Sequence, residues 1–120
     1  MNRYVMVVDD DPGIADVVSI VLTEKGYSVE TITNPEKIFS RIEESLPGMI
    51  ILDLWMPRLS GEQVIAKLKE NSTTKDIPII VVSASQNVEQ IADTLGVTAC
   101  LNKPFDISDL EETVEKYIQR

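Results

Sequence analysis

The sequence contains no histidine and only one cysteine, Cys100, among its 120 residues. The absence of histidine excludes histidine-based catalysis and the usual zinc sites. A single cysteine excludes an internal disulfide and a thiolate metal cluster, and Cys100 is expected to be a small buried residue. A metal site in this chain would therefore have to be built from oxygen ligands.

Basic residues are also scarce, since 11 lysines and arginines face 20 acidic residues and the formal net charge is −9. Such a chain repels a nucleic-acid backbone, so no direct contact with nucleic acid is expected. No apolar run approaches the ~20 residues that span a bilayer. No charged segment with an apolar core precedes the first apolar run at Tyr4, so no signal peptide is expected. The length predicts one domain over residues 1–120. Without a membrane span or a signal peptide, the protein is expected in the cytoplasm and without a membrane partner.

Short apolar runs alternate with helical patterns along the whole chain. Strands are predicted over residues 4–8, 28–32, 49–52, 77–82 and 97–101. Five strands alternating with five helices indicate an α/β fold with a parallel sheet that is covered on both faces. The favoured arrangement is a doubly wound, flavodoxin-like sheet with the strand order 2-1-3-4-5.

The helices carry recognisable start and stop signals. Asp11 and Pro12 are typical of an N-cap and a first helical position, Asn34 and Pro35 predict the start of the second helix, and Gly26 predicts the end of the first. The apolar stripes expected to face the core are Ile14, Val17, Val18, Val21 and Leu22; Ile38, Phe39, Ile42 and Leu46; Val64, Ile65 and Leu68; Val88, Ile91, Ala92 and Leu95; and Leu110, Val114, Tyr117 and Ile118.

Polar residues follow four of the five predicted strands. The first strand is followed by three consecutive aspartates, Asp9, Asp10 and Asp11. The third is followed by Asp53, the fourth by Ser83, and the fifth by Asn102 and Lys103. Because the carboxyl ends of parallel strands share one edge of a sheet, these side chains are expected to converge in a shallow crevice.

Carboxylates that crowd together either take up protons or hold a cation. Oxygen ligands suit Mg²⁺ or Mn²⁺, and Mg²⁺ commonly binds through one or two carboxylates plus a phosphate. A lysine and a hydroxyl can both bind phosphoryl oxygens. Asp53 alone follows the central strand, so it is predicted to be the nucleophile that forms an aspartyl phosphate.

These residues resemble the motifs of response-regulator receiver domains of two-component signalling, and the resemblance covers essentially the whole chain. It is carried by the segments VVDDD at 7–11, DLWMP at 53–57 with Gly61, VSA at 82–84 and KPF at 103–105. The resemblance implies a chemotaxis-regulator-like phosphoprotein that acts as a switch and not as a conventional enzyme. By that resemblance it would catalyse only its own phosphorylation and dephosphorylation.

By that resemblance, Asp53 accepts a phosphoryl group from a phosphohistidine on a sensor histidine kinase or a phosphotransfer protein. Ser83 would bond the phosphoryl group, and Lys103 would form an ion pair with it. Ser83 could otherwise bond only the backbone at a strand end, and Lys103 could be a surface lysine.

The resemblance also implies a set of Mg²⁺ ligands. Asp10 and Asp53 would bind the metal, Asp9 would help through a water molecule, and the backbone carbonyl of Trp55 would complete the protein ligands. The face formed by the fourth helix, fifth strand and fifth helix would then bind a downstream protein target, with the chain a monomer or a phosphorylation-linked dimer.

Two positions depart from the usual pattern of these domains. Cys100 stands where an aromatic residue is usual, three residues before the lysine, so the relay of the phosphorylation signal is an open point. Trp55 lies two residues after the acceptor, at a variable position that tunes dephosphorylation, and its indole is expected to screen the phosphoryl group from water.

Three other functions are alternatives. A flavin binder would need a neutral loop after the first strand, where Asp9 to Asp11 would repel its phosphate. A phosphohydrolase would usually carry a second acid two residues after the nucleophile, where Trp55 cannot transfer a proton. A phosphate-independent interaction domain remains the main alternative, since Cys100 replaces the usual aromatic residue.

Overall fold

The computed structural model of the protein describes residues 3–55 and 60–119. Within these residues the strands are β1 (Val5–Val8), β2 (Val29–Ile32), β3 (Met49–Asp53), β4 (Ile79–Ser83) and β5 (Ala99–Asn102). The helices there are α1 (Pro12–Glu24), α2 (Ile38–Glu44), α3 (Gly61–Glu70), α4 (Val88–Leu95) and α5 (Ile107–Tyr117). Met56 and Pro57 of the DLWMP segment lie outside the described residues.

All strand pairs are parallel and the sheet has the order β2-β1-β3-β4-β5, which confirms the predicted flavodoxin-like topology. The predicted fourth and fifth strands began two residues too early. Pro78 precedes β4 and has no N–H to give to a neighbouring strand. The N–H of Val97 bonds back to the carbonyl of Ala92 as α4 ends, so this residue closes the helix before β5 begins.

The core consists of two apolar layers, one on each face of the sheet. Side chains alternate along β1, so Val5 and Val7 pack into one layer while Met6 and Val8 pack into the other. The first layer is completed by α1 and α5, and the second by α2, α3 and α4. Burial of each large aliphatic side chain contributes about 1.5–3 kcal/mol, so both faces of the sheet are held firmly under the site.

The start of α1 was predicted correctly, but its buried face is narrower than expected. The Asp11 side chain accepts hydrogen bonds from the backbone N–H groups of Gly13 at 2.9 Å and Ile14 at 3.4 Å. The residues of α1 that are fully buried are Ala15, Val18 and Leu22. Val17 is 54% exposed, because it lies at the margin of the face that contacts the sheet and α5. The expectation that Val17 belongs to the core was therefore wrong.

The second helix begins differently from the prediction. The Asn34 side chain caps a single 3-10 turn, Pro35–Lys37, by accepting from the N–H of Glu36, and the α-helical part starts at Ile38. Gly26 and Gly96 have positive φ values of 95° and 69° as expected of residues that end helices. None of the described helices is both long and apolar enough to cross a membrane.

Candidate phosphoacceptor site

Four polar side chains meet at the carboxyl edge of the sheet because their strands end there in register. Asp9 follows β1 directly, Asp53 is the last residue of β3, and Ser83 is the last residue of β4. Lys103 follows β5, and its backbone N–H donates to the carbonyl of Ser83 at 2.8 Å. The fold therefore brings together residues that are up to 94 positions apart in the sequence.

Three carboxylates form one cluster at this edge. Asp9, Asp10 and Asp53 each offer an oxygen, and these oxygens lie within 4.8 Å of one another. Asp9 and Asp53 are only 4% and 5% exposed, whereas Asp10 is exposed. Such a set of hard oxygen donors fits Mg²⁺ or Mn²⁺, with the exposed side left for water or a phosphate. Asp11 stands apart as the cap of α1.

Lys103 is directed into this acidic cluster. Its Nζ lies 3.0 Å from Asp9 Oδ2 and 3.5 Å from Asp53 Oδ2, and its side chain is 20% exposed. Burial on its own lowers the pKa of Lys103, but the hydrogen bond to Asp9 and the charge of Asp53 outweigh it and raise the pKa. The amine is thus a cation held between Asp9 and Asp53, and its contacts and low exposure distinguish Lys103 from a surface lysine.

Asp53 is held in place by its neighbours. Its Oδ1 accepts the backbone N–H of Trp55 at 3.1 Å, while its Oδ2 faces Lys103. Burial raises the pKa of Asp53, although the Trp55 N–H and the Lys103 charge act in the opposite direction. The result is a carboxylate fixed by the Trp55 N–H and Lys103 in a site that perturbs its pKa, a combination that is frequent at functional sites.

The Ser83 hydroxyl oxygen accepts hydrogen bonds from two N–H groups. The indole Nε1 of Trp55 donates to Ser83 Oγ at 3.2 Å, and the backbone N–H of Ser85 donates to the same atom at 3.1 Å. Ser83 therefore bonds the backbone at the strand end, as its alternative role required, while its bond to a phosphoryl group stays a prediction. The contact with Trp55 was missed, because nothing in the sequence indicates that two residues 28 positions apart share a hydrogen bond. The metal-binding role of the Trp55 carbonyl stays a prediction.

Gly61 allows α3 to begin close to the acceptor strand. A Cβ atom at this position would lie 2.9 Å from Leu54 Cα, which is closer than real Cβ atoms approach, and a tight 3.3 Å from the Asp53 carbonyl oxygen. A residue without a side chain is needed here, and this explains a glycine at this spacing from Asp53.

Cys100 lies on β5, half-buried, and packs against the core layer that contains α4. Burial raises the pKa of the thiol, and the nearby Glu89 and Asp93 raise it further. The side chain is therefore a neutral packing residue and not a reactive thiolate, although it is only partly buried where burial was expected.

A family model for the response regulator receiver domain matches residues 5–115. The chain belongs to this family. As a receiver domain of two-component response regulators, it carries its aspartates, serine and lysine at the strand ends where the sequence motifs predicted them.

Relatives of this receiver domain support the assignment. It is 32% identical to the DNA-binding dual master transcriptional regulator RpaA of Synechocystis sp., over 97% of this chain and 49% of that protein. It is 26% identical to the sporulation initiation phosphotransferase F of Bacillus subtilis, over 98% of this chain and 95% of that protein. The chain spans about half the length of the first curated relatives it matches.

Solved structures agree with this fold. The chemotaxis response regulator CheY4 of Vibrio cholerae superposes with a TM-score of 0.89 at 28% identity, over 98% of this chain and 100% of that one. A signal receiver domain from Bermanella marisrubri superposes with a TM-score of 0.88 at 31% identity, over 98% of each chain.

Proposed function

We propose that residues 1–120 form one Mg²⁺-dependent receiver domain that accepts a phosphoryl group on Asp53 and thereby switches a partner-binding surface. The observation that carries the proposal is the buried Asp53 carboxylate, fixed at the end of the central strand between two further aspartates and Lys103. The donor would be a phosphohistidine on a sensor histidine kinase or a phosphotransfer protein.

Phosphoryl transfer to Asp53 requires mainly that the reacting groups are held in position. A carboxylate oxygen of Asp53 forms the new bond to phosphorus, and the bond from phosphorus to the donor imidazole nitrogen breaks. That nitrogen keeps the electron pair of the broken bond. Lys103 supplies a positive charge to the phosphoryl oxygens, and the Ser83 hydroxyl donates a hydrogen bond to one of them.

The three carboxylates at this edge fit a hard divalent cation. Asp10 and Asp53 would bind Mg²⁺, or Mn²⁺ in its place, while Asp9 would help through water and Trp55 would contribute its carbonyl oxygen. When bound, the ion neutralises negative charge on the phosphoryl group during transfer. Lys103 alone cannot offset three clustered carboxylates, so the charge balance favours a cation here.

An apolar groove beside the site supports a protein as the phosphoryl donor. The groove has a volume of about 510 Å³ and lies between the start of α1 and the segment that leads into α5. Its lining includes Val17 and Ile107, which are 54% and 53% exposed, and it reaches Lys103. Exposed aliphatic groups next to a charged site suit a protein surface that must bring its phosphohistidine to Asp53.

The output surface is proposed to be the face formed by α4, β5 and α5. Phosphorylation adds nearly two negative charges beside Lys103 and gives Ser83 a new partner, so the loop after β4 is expected to rearrange. The net charge of −9 supports a protein target and not a nucleic acid. Cys100 on β5 is the one feature that favours the alternative, a phosphate-independent interaction domain.

The only tryptophan of the chain lies beside Asp53 and gives a direct test. Trp55 fluorescence is expected to change on addition of Mg²⁺ and again on addition of acetyl phosphate or beryllofluoride, with mass spectrometry reporting one phosphoryl group in the acetyl phosphate sample. Asp53→Ala should remain folded and lose the second change together with the added mass.

The matched control is Asp16→Ala, which removes an exposed acid on α1 away from the cluster and should behave as the wild type. A wild-type protein that takes no phosphoryl group and shows no response to Mg²⁺ would favour the phosphate-independent alternative.

A further inference from the structure

Trp55 combines high exposure with two hydrogen bonds inside the candidate site. The residue is 72% exposed, so burial of its ring does not explain its position. Its backbone N–H donates to Asp53 Oδ1 at 3.1 Å, and its indole N–H donates to Ser83 Oγ at 3.2 Å. One residue thus holds both the acceptor carboxylate and the hydroxyl that serves the phosphoryl group.

The hydrogen-bonding capacity of Ser83 makes the indole contact consequential. A serine hydroxyl has one hydrogen to donate and two lone pairs to accept. Ser83 Oγ accepts from the indole of Trp55 at 3.2 Å and from the backbone N–H of Ser85 at 3.1 Å. Both lone pairs are then used, and only the hydroxyl hydrogen is left to make a further bond. A phosphoryl oxygen is an acceptor, so it needs that hydrogen.

We propose that Trp55 is a positioning residue whose indole N–H, together with the N–H of Ser85, restricts the Ser83 hydroxyl to the role of donor toward the phosphoryl group. This inference rests on the function proposed for Asp53. Ser83 is fully buried at 0% exposure, so its Oγ accepts from these two N–H groups and not from bulk water while the indole is in place. Without the indole, one lone pair of Ser83 becomes free and the hydroxyl can rotate away from the donor orientation.

The role differs from steric screening of the phosphoryl group by the indole ring. Screening depends on the size of the ring, whereas positioning depends on the N–H group and on Ser83. Because the chain has one tryptophan, biosynthetic replacement by benzothienylalanine changes only Trp55. That analogue keeps a fused bicyclic ring of similar size but has sulfur in place of the N–H group.

The first measurement uses the protein without phosphate. A ¹H–¹⁵N correlation spectrum contains one indole N–H signal, from Trp55. Ser83→Ala removes the acceptor, so the signal should shift upfield and its exchange with water should become severalfold faster. Ser40→Ala changes an exposed serine on α2 as the control and should leave the signal in place. An indole signal that is unchanged in Ser83→Ala overturns the proposal.

The second measurement is the affinity for beryllofluoride in the presence of Mg²⁺, in a double-mutant cycle. Trp55→Phe and the benzothienylalanine protein should each bind about threefold to tenfold more weakly than the wild type, the usual effect of one lost hydrogen bond. In the Ser83→Ala background, Trp55→Phe should cause no further loss. Wild-type affinity of the benzothienylalanine protein, or an equal loss in both backgrounds, overturns the positioning role.

Failure of the proposed function is distinguishable from failure of the positioning role. A wild-type protein that binds no beryllofluoride overturns the proposed function and with it the role of Trp55 toward a phosphoryl group, whatever the indole signal does. Normal beryllofluoride binding with no coupling between Trp55 and Ser83 overturns the positioning role alone.

Discussion

Asp53 is an ionisable residue in a place that disfavours its charge. Burial raises its pKa, and the carboxylate of Asp9 raises it further. Because the folded-state pKa lies above the unfolded value of 3.8, the folded protein binds this proton more tightly. The contribution of Asp53 to stability is therefore present below pH 3.8 and is lost as the pH rises through the folded-state pKa.

Asp53→Asn removes this charge and should stabilise the metal-free protein at pH 7 by on the order of 1 kcal/mol in urea unfolding. The gain should shrink on acidification, as the wild-type carboxylate becomes neutral. Asp16→Asn removes an exposed charge from α1 and serves as the control for net charge. An equal gain in both variants would contradict the prediction.

Tyr4 is a second residue whose ionisation depends on the fold. Burial raises its pKa from 10.0 to about 12, while the charge of Arg41 acts in the opposite direction. The phenol donates to the backbone carbonyl of Ser45 at 2.8 Å. Since the folded state keeps the proton more tightly, the stability that this group contributes is present below pH 10 and is lost as the pH rises to about 12.

Tyr4→Phe should cost about 1 kcal/mol at pH 8 through the lost hydrogen bond. The wild type should lose about 2–3 kcal/mol more than the variant between pH 9 and pH 12, measured by urea unfolding at each pH. Parallel loss of stability in the two proteins would show that Tyr4 does not carry the effect.

At the scale of elements, one glycine lies near each end of the acceptor strand β3, Gly48 before it and Gly61 at the start of α3. Substitution of each by alanine tests whether only the end near Asp53 affects phosphoryl binding. A Cβ at Gly61 would meet Leu54 Cα at 2.9 Å next to the acceptor, and a Cβ at Gly48 would meet the Gln119 carbonyl at 2.5 Å at the far end. Both contacts involve backbone atoms, so each substitution by alanine should cost about 1–3 kcal/mol.

Only Gly61→Ala should also weaken beryllofluoride binding, by roughly tenfold, because it displaces the segment that positions Asp53. Gly48→Ala is the matched control, with a similar loss of stability but unchanged binding. Equal losses of affinity in both variants would mean that general stability, and not local geometry, governs the site.

At the scale of the whole molecule, 20 acidic residues exceed 11 basic ones, so cations of any kind are expected to raise the free energy of unfolding by screening the negative charge. Specific metal binding adds a separate effect, since a ligand that binds only the folded state at ten times its Kd stabilises by about 1.4 kcal/mol. Mg²⁺ should therefore raise the free energy of unfolding more than NaCl at the same ionic strength.

Asp10→Asn should remove this additional stabilisation, because Asp10 is the exposed member of the carboxylate cluster. Asp106→Asn, at an exposed acid before α5, should retain it. Equal stabilisation by Mg²⁺ in these two variants and the wild type would point to screening of the net charge alone.

The sequence by itself determined the parallel sheet, its strand order and the residues that follow each strand. Apolar periodicity reports local burial, and the geometry of parallel strands then sends Asp9, Asp53, Ser83 and Lys103 to one edge. Local capping chemistry likewise marked the start of α1 at Asp11.

Only the tertiary structure decided how those side chains contact one another. Lys103 approaches Asp9 more closely than Asp53, Val17 is exposed at the margin of a helix stripe, and the indole of Trp55 reaches Ser83. These outcomes depend on distances between residues that are far apart in the chain, and a local sequence pattern does not predict such distances. The proposed phosphoacceptor role of Asp53 therefore depends on contacts between side chains at the ends of several strands.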